Sequence, residues 1–354
     1  MRVERWDPAD ASTATACYEV HRSAHLADEP HEPPMSAGAF GMVLAQGWEG
    51  IPGEVWVVPG DTTGTVMAYY RLDLPDLENT DRAFAQPTVH PAVRRRGIGR
   101  ELVRHAAQRT ADNERSILDS FVLEDSSGDA FAAAIGAKLS LEEVRRVQDL
   151  RAIAPGTVAS LRETAARAAA GYSLVTWTGP VPDEHCDQVA GVFNAFNDAP
   201  RGEGVEPEEW TADRIRERTG RTLRAGHYRG YTVAAVDDAS GEMAAITQVM
   251  IAPEHPEWAY QQLTAVTRTH RGHRLGLLVK TAMLEWLASD EPGVERVATG
   301  NAATNEHMIA VNETLGYEVV KPGYRFYEMP VAAMLEPAQP EAGQPQFKAG
   351  QPQS

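Results

Sequence analysis

The sequence predicts a mixed α/β (α+β) protein made of two tandem copies of one domain, each a mostly antiparallel mixed sheet flanked by helices. Three observations predict it. A basic turn carrying glycine opens a helix at two places; the segments on either side of that turn recur in the same order; and paired strands, not alternating βαβ units, precede it.

The first copy spans 1–150. "VERW" reads as a short strand ending at Trp6, and the turn at Pro8 leads into a helix. "EVWVVP" and "TVMAYYRLDL" are paired strands around the turn "GDTTG". "PTVHPAVRRRGIGRELVRHAA", Pro87 to Ala107, is a strand end, a turn and a helix that places Ile98, Leu102, Val103, Ala106 and Ala107 on one face. "AFAAAIGAKL" is a helix stopped by Gly136, where glycine accepts the positive φ of a helix end. "APGTVASLRETAARAAAG" then gives a linker helix over 151–171.

The second copy spans 172–330 and repeats these parts. "LVTWTGPVPDEH" matches the opening strand and turn, and "YTVAAVDDASGEMAAITQVMI" matches the hairpin. "AVTRTHRGHRLGLLVKTAML" matches the basic turn and its helix, offset by 177 residues from Gly99 to Gly276, with Leu275, Leu278, Val279, Ala282, Met283 and Trp286 on the apolar face. "MIAVNETLGYEV" matches the later helix, stopped here by Gly316. The stretch 331–354, rich in Pro, Gln and Gly, is expected to be a disordered tail.

Composition limits the function. With 354 residues, 43% of them hydrophobic, the chain can bury a core large enough for two domains. Its formal charge of -17, from 33 Lys plus Arg against 50 Asp plus Glu, argues against nucleic acid as a partner and suits a cationic small molecule. No run approaches ~18 apolar residues, so no membrane partner is expected. Cys17 and Cys186 lack metal-ligand spacing and point to a reducing, cytoplasmic setting, with Cys186 a buried structural thiol. His255, His270 and His273 form no metal set, so no metal is expected, and the assembly is expected to be a monomer or a homodimer.

The basic turns carry the chemistry. A helix N-terminus offers unpaired backbone N–H groups and partial positive charge, which suits a phosphate. Gly97 and Gly99 let an anion approach the backbone of the first turn, with Arg94, Arg95, Arg96, Arg100 and Arg104 around it. The second turn has Gly272 and Gly276 with Arg268, Arg271, His273, Arg274 and Lys280. The Gly-x4-Gly-Lys-Ser/Thr pattern of a P-loop is absent, and the hairpins do not support a dinucleotide fold.

Arg94-Arg95-Arg96-Gly97-Ile98-Gly99 resembles the Arg/Gln-x-x-Gly-x-Gly/Ala signature of the GCN5-related N-acetyltransferase (GNAT) superfamily, and "NAATNEHMIAVNETLGYEV" resembles its later block. The resemblance covers nearly all of residues 1–330, and the tandem layout is similar to that of double-domain acetyltransferases. It implies acetyl-CoA as co-substrate, with its pyrophosphate on the turn: Arg94, Arg95, Arg96, Gly97, Ile98, Gly99 and Arg100 in the first copy, and Arg271, Gly272, His273, Arg274, Leu275 and Gly276 in the second. It also implies free backbone N–H groups on a splayed strand, at Val89 and His90 and at Val266, Thr267 and Arg268.

Two departures stand out. Arg274 occupies the place of the signature's first glycine, and the tyrosine that such enzymes often place four residues before the late glycine is Ala132 in one copy and Asn312 in the other. The resemblance implies amine attack on the thioester in a ternary complex. The second copy is expected to catalyse it, because Asn301, Asn305 and Asn312 can meet the pantetheine arm or the leaving sulfur. Glu257, Asp198 and His307 are candidate bases, and Trp210, Tyr228, Tyr231 and Trp258 candidate walls of an acceptor pocket. A non-catalytic acyl-CoA sensor with the same cradles stays open.

Overall fold

The computed structural model of the protein describes residues 1–8 and 10–336. The first copy contributes β1 (Glu4–Arg5), α1 (Ala11–Asp28), α2 (Ala37–Gln46), β2 (Gly53–Pro59), β3 (Val66–Asp73), β4 (Arg82–Ala85), β5 (Thr88–Val89), α3 (Ile98–Asp112), β6 (Ile117–Leu123), α4 (Ser127–Ala134) and β7 (Lys138–Asp149). After α5 (Thr157–Ala168) come β8 (Tyr172–Thr178), α6 (Cys186–Ala195), α7 (Ala212–Arg218), α8 (Arg221–Arg224), β9 (Arg229–Asp237), β10 (Met243–Ile251), β11 (Trp258–Val266), α9 (Leu275–Asp290), β12 (Arg296–Ala302), α10 (Glu306–Thr314), β13 (Glu318–Pro330) and α11 (Val331–Leu335).

All strands belong to one mixed sheet in the order β1-β2-β3-β4-β6-β13-β7-β12-β11-β10-β9-β8, with β5 on β3. The two copies exchange their last strands. β13 of the second copy pairs with β6 of the first, and β7 of the first pairs with β12 of the second. β7 and β13 then pair with each other, where Tyr324 faces Glu143.

The helix after each exchanged strand crosses over with it. α5 packs on α9, and its Ala165 joins Leu275, Val279 and Met283 in the second core. α11 packs on α3, and Val331 joins Leu102 and Ala106 in the first core. The expected linker helix is thus part of the second core. Of the expected tail, 331–335 is helical, and 337–354 lies outside the described residues.

Strand chemistry explains the site's placement. β4 and β6 pair in parallel only from Arg82–Ile117 to Phe84–Asp119, and β11 and β12 only from Trp258–Arg296 to Tyr260–Ala298. Beyond those pairs the neighbours diverge, and the following helix, α3 or α9, starts at each opening. Apolar faces hold α3 and α9 against the sheet; each fully buried Leu or Val stabilises by about 1.5–3 kcal/mol.

Candidate acyl-transfer site

The two turns share one backbone shape built from different residues. Arg95 (φ 66°) and Gly97 (φ 84°) are left-handed in the first copy, and Gly272 (φ 91°) and Arg274 (φ 55°) in the second. The glycine has changed places while the path has not. A non-glycine residue in that conformation costs about 1–2 kcal/mol. Both copies accept this cost, and consecutive amides bent this way form an anion-binding concavity. Arg274 is exposed and caps α9 without a side-chain bond.

Gly99 and Gly276 test the fit of a bulky anion. A Cβ on Gly99 would meet Phe131 and Val89 only at 4.0 Å, and one on Gly276 would meet Val266 at 3.9 Å. The protein itself therefore leaves room for a methyl group at both positions. Glycine there keeps open the space along which a ligand would approach the amides.

The first opening is a cleft of about 630 Å³. Its lining includes the cationic turn at Arg95, Gly97, Gly99 and Arg100, the apolar side chains of Val103, Val122, Ala132 and Ile135, and the polar His21, His25 and Tyr324. Cationic, apolar and polar walls in one cleft suit the phosphates, pantetheine and reactive end of an acyl-CoA. Among the described residues Arg95, Arg96 and Arg100 have no carboxylate partner, which leaves their charge for an anion.

Arg94 serves another purpose. Its Nε donates to the Val89 carbonyl at 3.2 Å, and its two head nitrogens donate to Asp28 at 2.7 Å each. Arg271 repeats this, donating to the Val266 carbonyl at 3.4 Å and to Asp198 at 2.7 Å, and Arg268 also pairs with Asp198 at 2.7 Å. These arginines, expected on phosphate, strap the turn to the splayed strand and to the end of the first helical segment of each copy. Asp198 is then a strap partner and not a free base. The other base candidates are also displaced: Glu257 pairs with His255 at 3.9 Å, and His307 is exposed at the start of α10.

The expected free amides need a similar correction. His90 N–H donates to Met67 O at 2.9 Å, and Thr267 N–H to Ala244 O at 2.9 Å, so neither is available to a ligand. His90 Nδ1 instead accepts from Ala92 N–H, and His273 lies against Tyr172 with ring centroids 5.5 Å apart. Asn305 accepts from Met308 N–H and caps α10. Asn312 is fully buried: its Oδ1 accepts from Lys280 at 2.9 Å, and its Nδ2 donates to Asn301 at 2.7 Å. The Asn305 Oδ1 and both polar groups of the Asn312 side chain are thus engaged within the protein.

Sequence reasoning missed three groups. His21 lines the first cleft with Nε2 buried and unpartnered, and burial pushes its pKa down to about 4. Glu143 on β7 packs flat on Gly300 of β12, where a Cβ would collide with its Oε1. Burial raises its pKa, and among the described residues its carboxylate has no hydrogen-bond or ion-pair partner. Glu49, in the loop after α2, lies with Glu208 in a second cavity of about 270 Å³, and burial followed by the Glu208 charge raises its pKa. Only the lone His, Glu or Glu in a polar stretch signalled these positions.

That second cavity lies on the α6 side of β9–β11. Its walls include Trp48, Phe193, Trp210, Gln248 and Gln262. Trp210 lines this cavity, whereas the Tyr231 ring lies on the α9 side of β9, 4.9 Å from Trp286, with its hydroxyl donating to Glu291 at 2.6 Å. Tyr228 instead meets Trp48 edge-on at 6.1 Å, and Trp258 stacks on Tyr260 at 6.4 Å. Both cysteines are buried and free, and burial pushes Cys17 up to about 12. Among the described residues no three His, Cys, Asp or Glu side chains gather as metal ligands, and no helix is long and apolar enough to cross a membrane.

A splayed parallel strand pair with a helix-capped anion cradle, present twice on one sheet, defines a tandem acyltransferase fold. The chain belongs to the GCN5-related N-acetyltransferase family, tandem type. Residues 15–128 match the model of the Acetyltransferase (GNAT) family. The chain is 30% identical to a tandem GNAT protein from the clavulanic acid biosynthesis pathway, covering 93% of this chain and 98% of that one, with a TM-score of 0.75. It is 25% identical over 293 residues to a mycothiol acetyltransferase of Mycolicibacterium paratuberculosis, covering 79% of this chain and 82% of that protein. A GCN5-related N-acetyltransferase from Sphaerobacter thermophilus shares the fold at 19% identity, with 93% of this chain and 95% of that one covered and a TM-score of 0.62.

Proposed function

We propose that the protein is an acetyl-CoA-dependent N-acetyltransferase acting on a small cationic amine, and that its second copy carries out the transfer. The observation that carries this reading is the cavity on the acceptor side of β11, lined by aromatics and by Glu49 and Glu208, with Arg218 and Arg221 also in its wall. It abuts the irregularity in the β10–β11 ladder at Gln248/Val249, where Gln262 is the extra residue. An ammonium group suits the part of the site around Trp48, Trp210, Glu49 and Glu208, because aromatic faces and carboxylates both attract cations, while Arg218 and Arg221 set the opposite charge elsewhere in the wall. The first copy supplies Trp48 and Glu49, so both copies build the pocket.

The splayed strand favours the second copy. In the first copy that strand breaks between β4 and β5 at Pro87, which has no N–H to donate to a carbonyl oxygen as it gains charge. β11 runs unbroken to Val266 and keeps its amides. The first copy's open cleft and cationic turn suit acetyl-CoA binding.

Glu143 is the base in this reading. Two residues past the last β11–β12 pair, Gln262 and Gly300 lie on either side of the opening, and the Glu143 carboxylate covers Gly300. Gly300 and Asn301 point to opposite faces of β12, which puts Glu143 on the acceptor side. Its raised pKa makes it a stronger base than an exposed carboxylate.

The test is free-thiol release from acetyl-CoA with glucosamine, spermidine and other primary amines. Glu143→Gln is expected to lower kcat about 100-fold or more with little change in acetyl-CoA affinity. Gly276→Trp is expected to abolish turnover, and Gly99→Trp to remove one binding site by calorimetry. No thiol release with any amine, alongside stoichiometric binding, would establish the sensor reading instead.

A further inference from the structure

The second copy replaces an apolar wall with a buried polar relay. The helices α3 and α9 superpose Val103 on Lys280 by the offset of their turns; the strands β6 and β12 superpose Val122 on Asn301; the late glycines superpose Ala132 on Asn312. In the first copy all three residues line the cleft. In the second they touch one another: Lys280 Nζ donates to Asn312 Oδ1 at 2.9 Å, and Asn312 Nδ2 donates to Asn301 Oδ1 at 2.7 Å. Three separate substitutions on three elements have produced one connected network.

Its placement is informative. Lys280 is 2% exposed and Asn312 is 0% exposed. An unpaired ammonium there is costly, because no carboxylate neutralises it and burial alone acts on it. The groups around Nζ are the Asn312 amide from α10, the Tyr317 ring 4.7 Å away, and, through Asn312, the Asn301 amide from β12. Tyr317 is itself buried, and burial raises its pKa, so its hydroxyl stays neutral. A lysine is a poor choice for filling this volume when valine does so in the sister copy.

We propose that Lys280 is the acid that protonates the departing thiolate in the second copy, with Asn312 and Asn301 as positioning residues. The inference rests on the acetyltransferase reading. Asn312 occupies the place at which related enzymes often carry an acidic tyrosine, and Lys280 reaches that place from the neighbouring helix. Once the bound ammonium has released its first proton to solvent, the neutral amine nitrogen bonds to the acyl carbon, the carbon–sulfur bond breaks and its electron pair goes to sulfur. Sulfur takes a proton from Lys280 Nζ, the new amide nitrogen loses one to Glu143, and solvent returns both side chains to their starting states. Burial pulls the lysine pKa down to about 7, which lets it give up a proton near neutrality.

The decisive variant is the triple substitution Lys280→Val, Asn301→Val and Asn312→Ala, which rebuilds the first copy's wall and orphans no polar group. Lys280→Met alone is the second variant. Both are compared with the parent for thiol release at saturating acetyl-CoA, acetyl-CoA affinity by calorimetry, and the pH dependence of kcat. The expected result is a folded triple variant with affinity within a few-fold of the parent and kcat lowered about 100-fold. That is the low end of general-acid effects, because a thiol of pKa about 8.5 leaves partly unaided. The parent's kcat falls as pH rises through about 7, and the variants lack that limb. A triple variant with parental kcat and the same alkaline limb would overturn the inference and leave the acetyltransferase reading intact. Absence of thiol release from the parent with every amine would overturn both.

Discussion

His21 shows how a buried imidazole ties stability to pH. Its Nε2 has no partner and burial holds its pKa near 4, below the usual ~6.5 of an unfolded chain. Between those values the unfolded state binds a proton that the folded state does not. The stabilisation is therefore complete above about pH 6.5 and is lost as pH falls toward 4. At pH 5 the loss amounts to about 2 kcal/mol. Urea midpoints at pH 7.5 and 5.0 should separate by less in His21→Phe than in the parent; parallel pH dependence in the two would show that the ring is not the source. His25, also lowered by burial, will retain part of the slope. Lys280 acts in the same direction at higher pH. Its pKa lies below that of an unfolded lysine, so stability should rise as pH climbs from about 7 toward 10, and Lys280→Met should flatten that rise.

Among the elements, the turns were legible and their fastenings were not. The repeat, the two basic turns, the apolar faces of α3 and α9 and the glycine stops all follow from local pattern, and the structure has them at those residues. Arg94 looked like its neighbours in a run of three arginines. Its partner Asp28 lies 66 residues away, and nothing in the spacing of the run distinguishes a strap from a phosphate ligand. Likewise, Asn305 and Asn312 share a residue type, yet one caps a helix and the other completes a buried network. Charge-assisted pairs of this kind contribute about 1.5–3 kcal/mol. Asp28→Ala should thus lower stability by about 1–2 kcal/mol and weaken acetyl-CoA binding at the first cradle, because the turn loses its anchor on α1. Calorimetry showing unchanged affinity at that cradle would mean that the strap shapes only the fold.

At the scale of the whole molecule, the exchange of last strands decides what a half of the chain can do. β13 lies between β6 and β7, so the first copy alone would leave β6 without its neighbour, and the second alone would leave β12 without β7. The crossing helices add to this: α5 carries Ala165 and Ala169 into the second core, and α11 carries Val331 into the first. Sequence pattern could not reveal it, since β7 and β13 have the same alternation whichever sheet they complete, and register is chosen by tertiary contact. The chain cut between residues 154 and 155 and expressed as two pieces should therefore behave cooperatively. Each piece alone is expected to aggregate or pair with itself through an open strand edge, while the two together should form a one-to-one complex that melts in a single transition. Size-exclusion chromatography and thermal melts distinguish the outcomes. A first piece that stays monomeric and melts cooperatively would show that β7 can close its own sheet beside β6, and that the exchange is a choice made by the tandem chain and not a requirement of either copy.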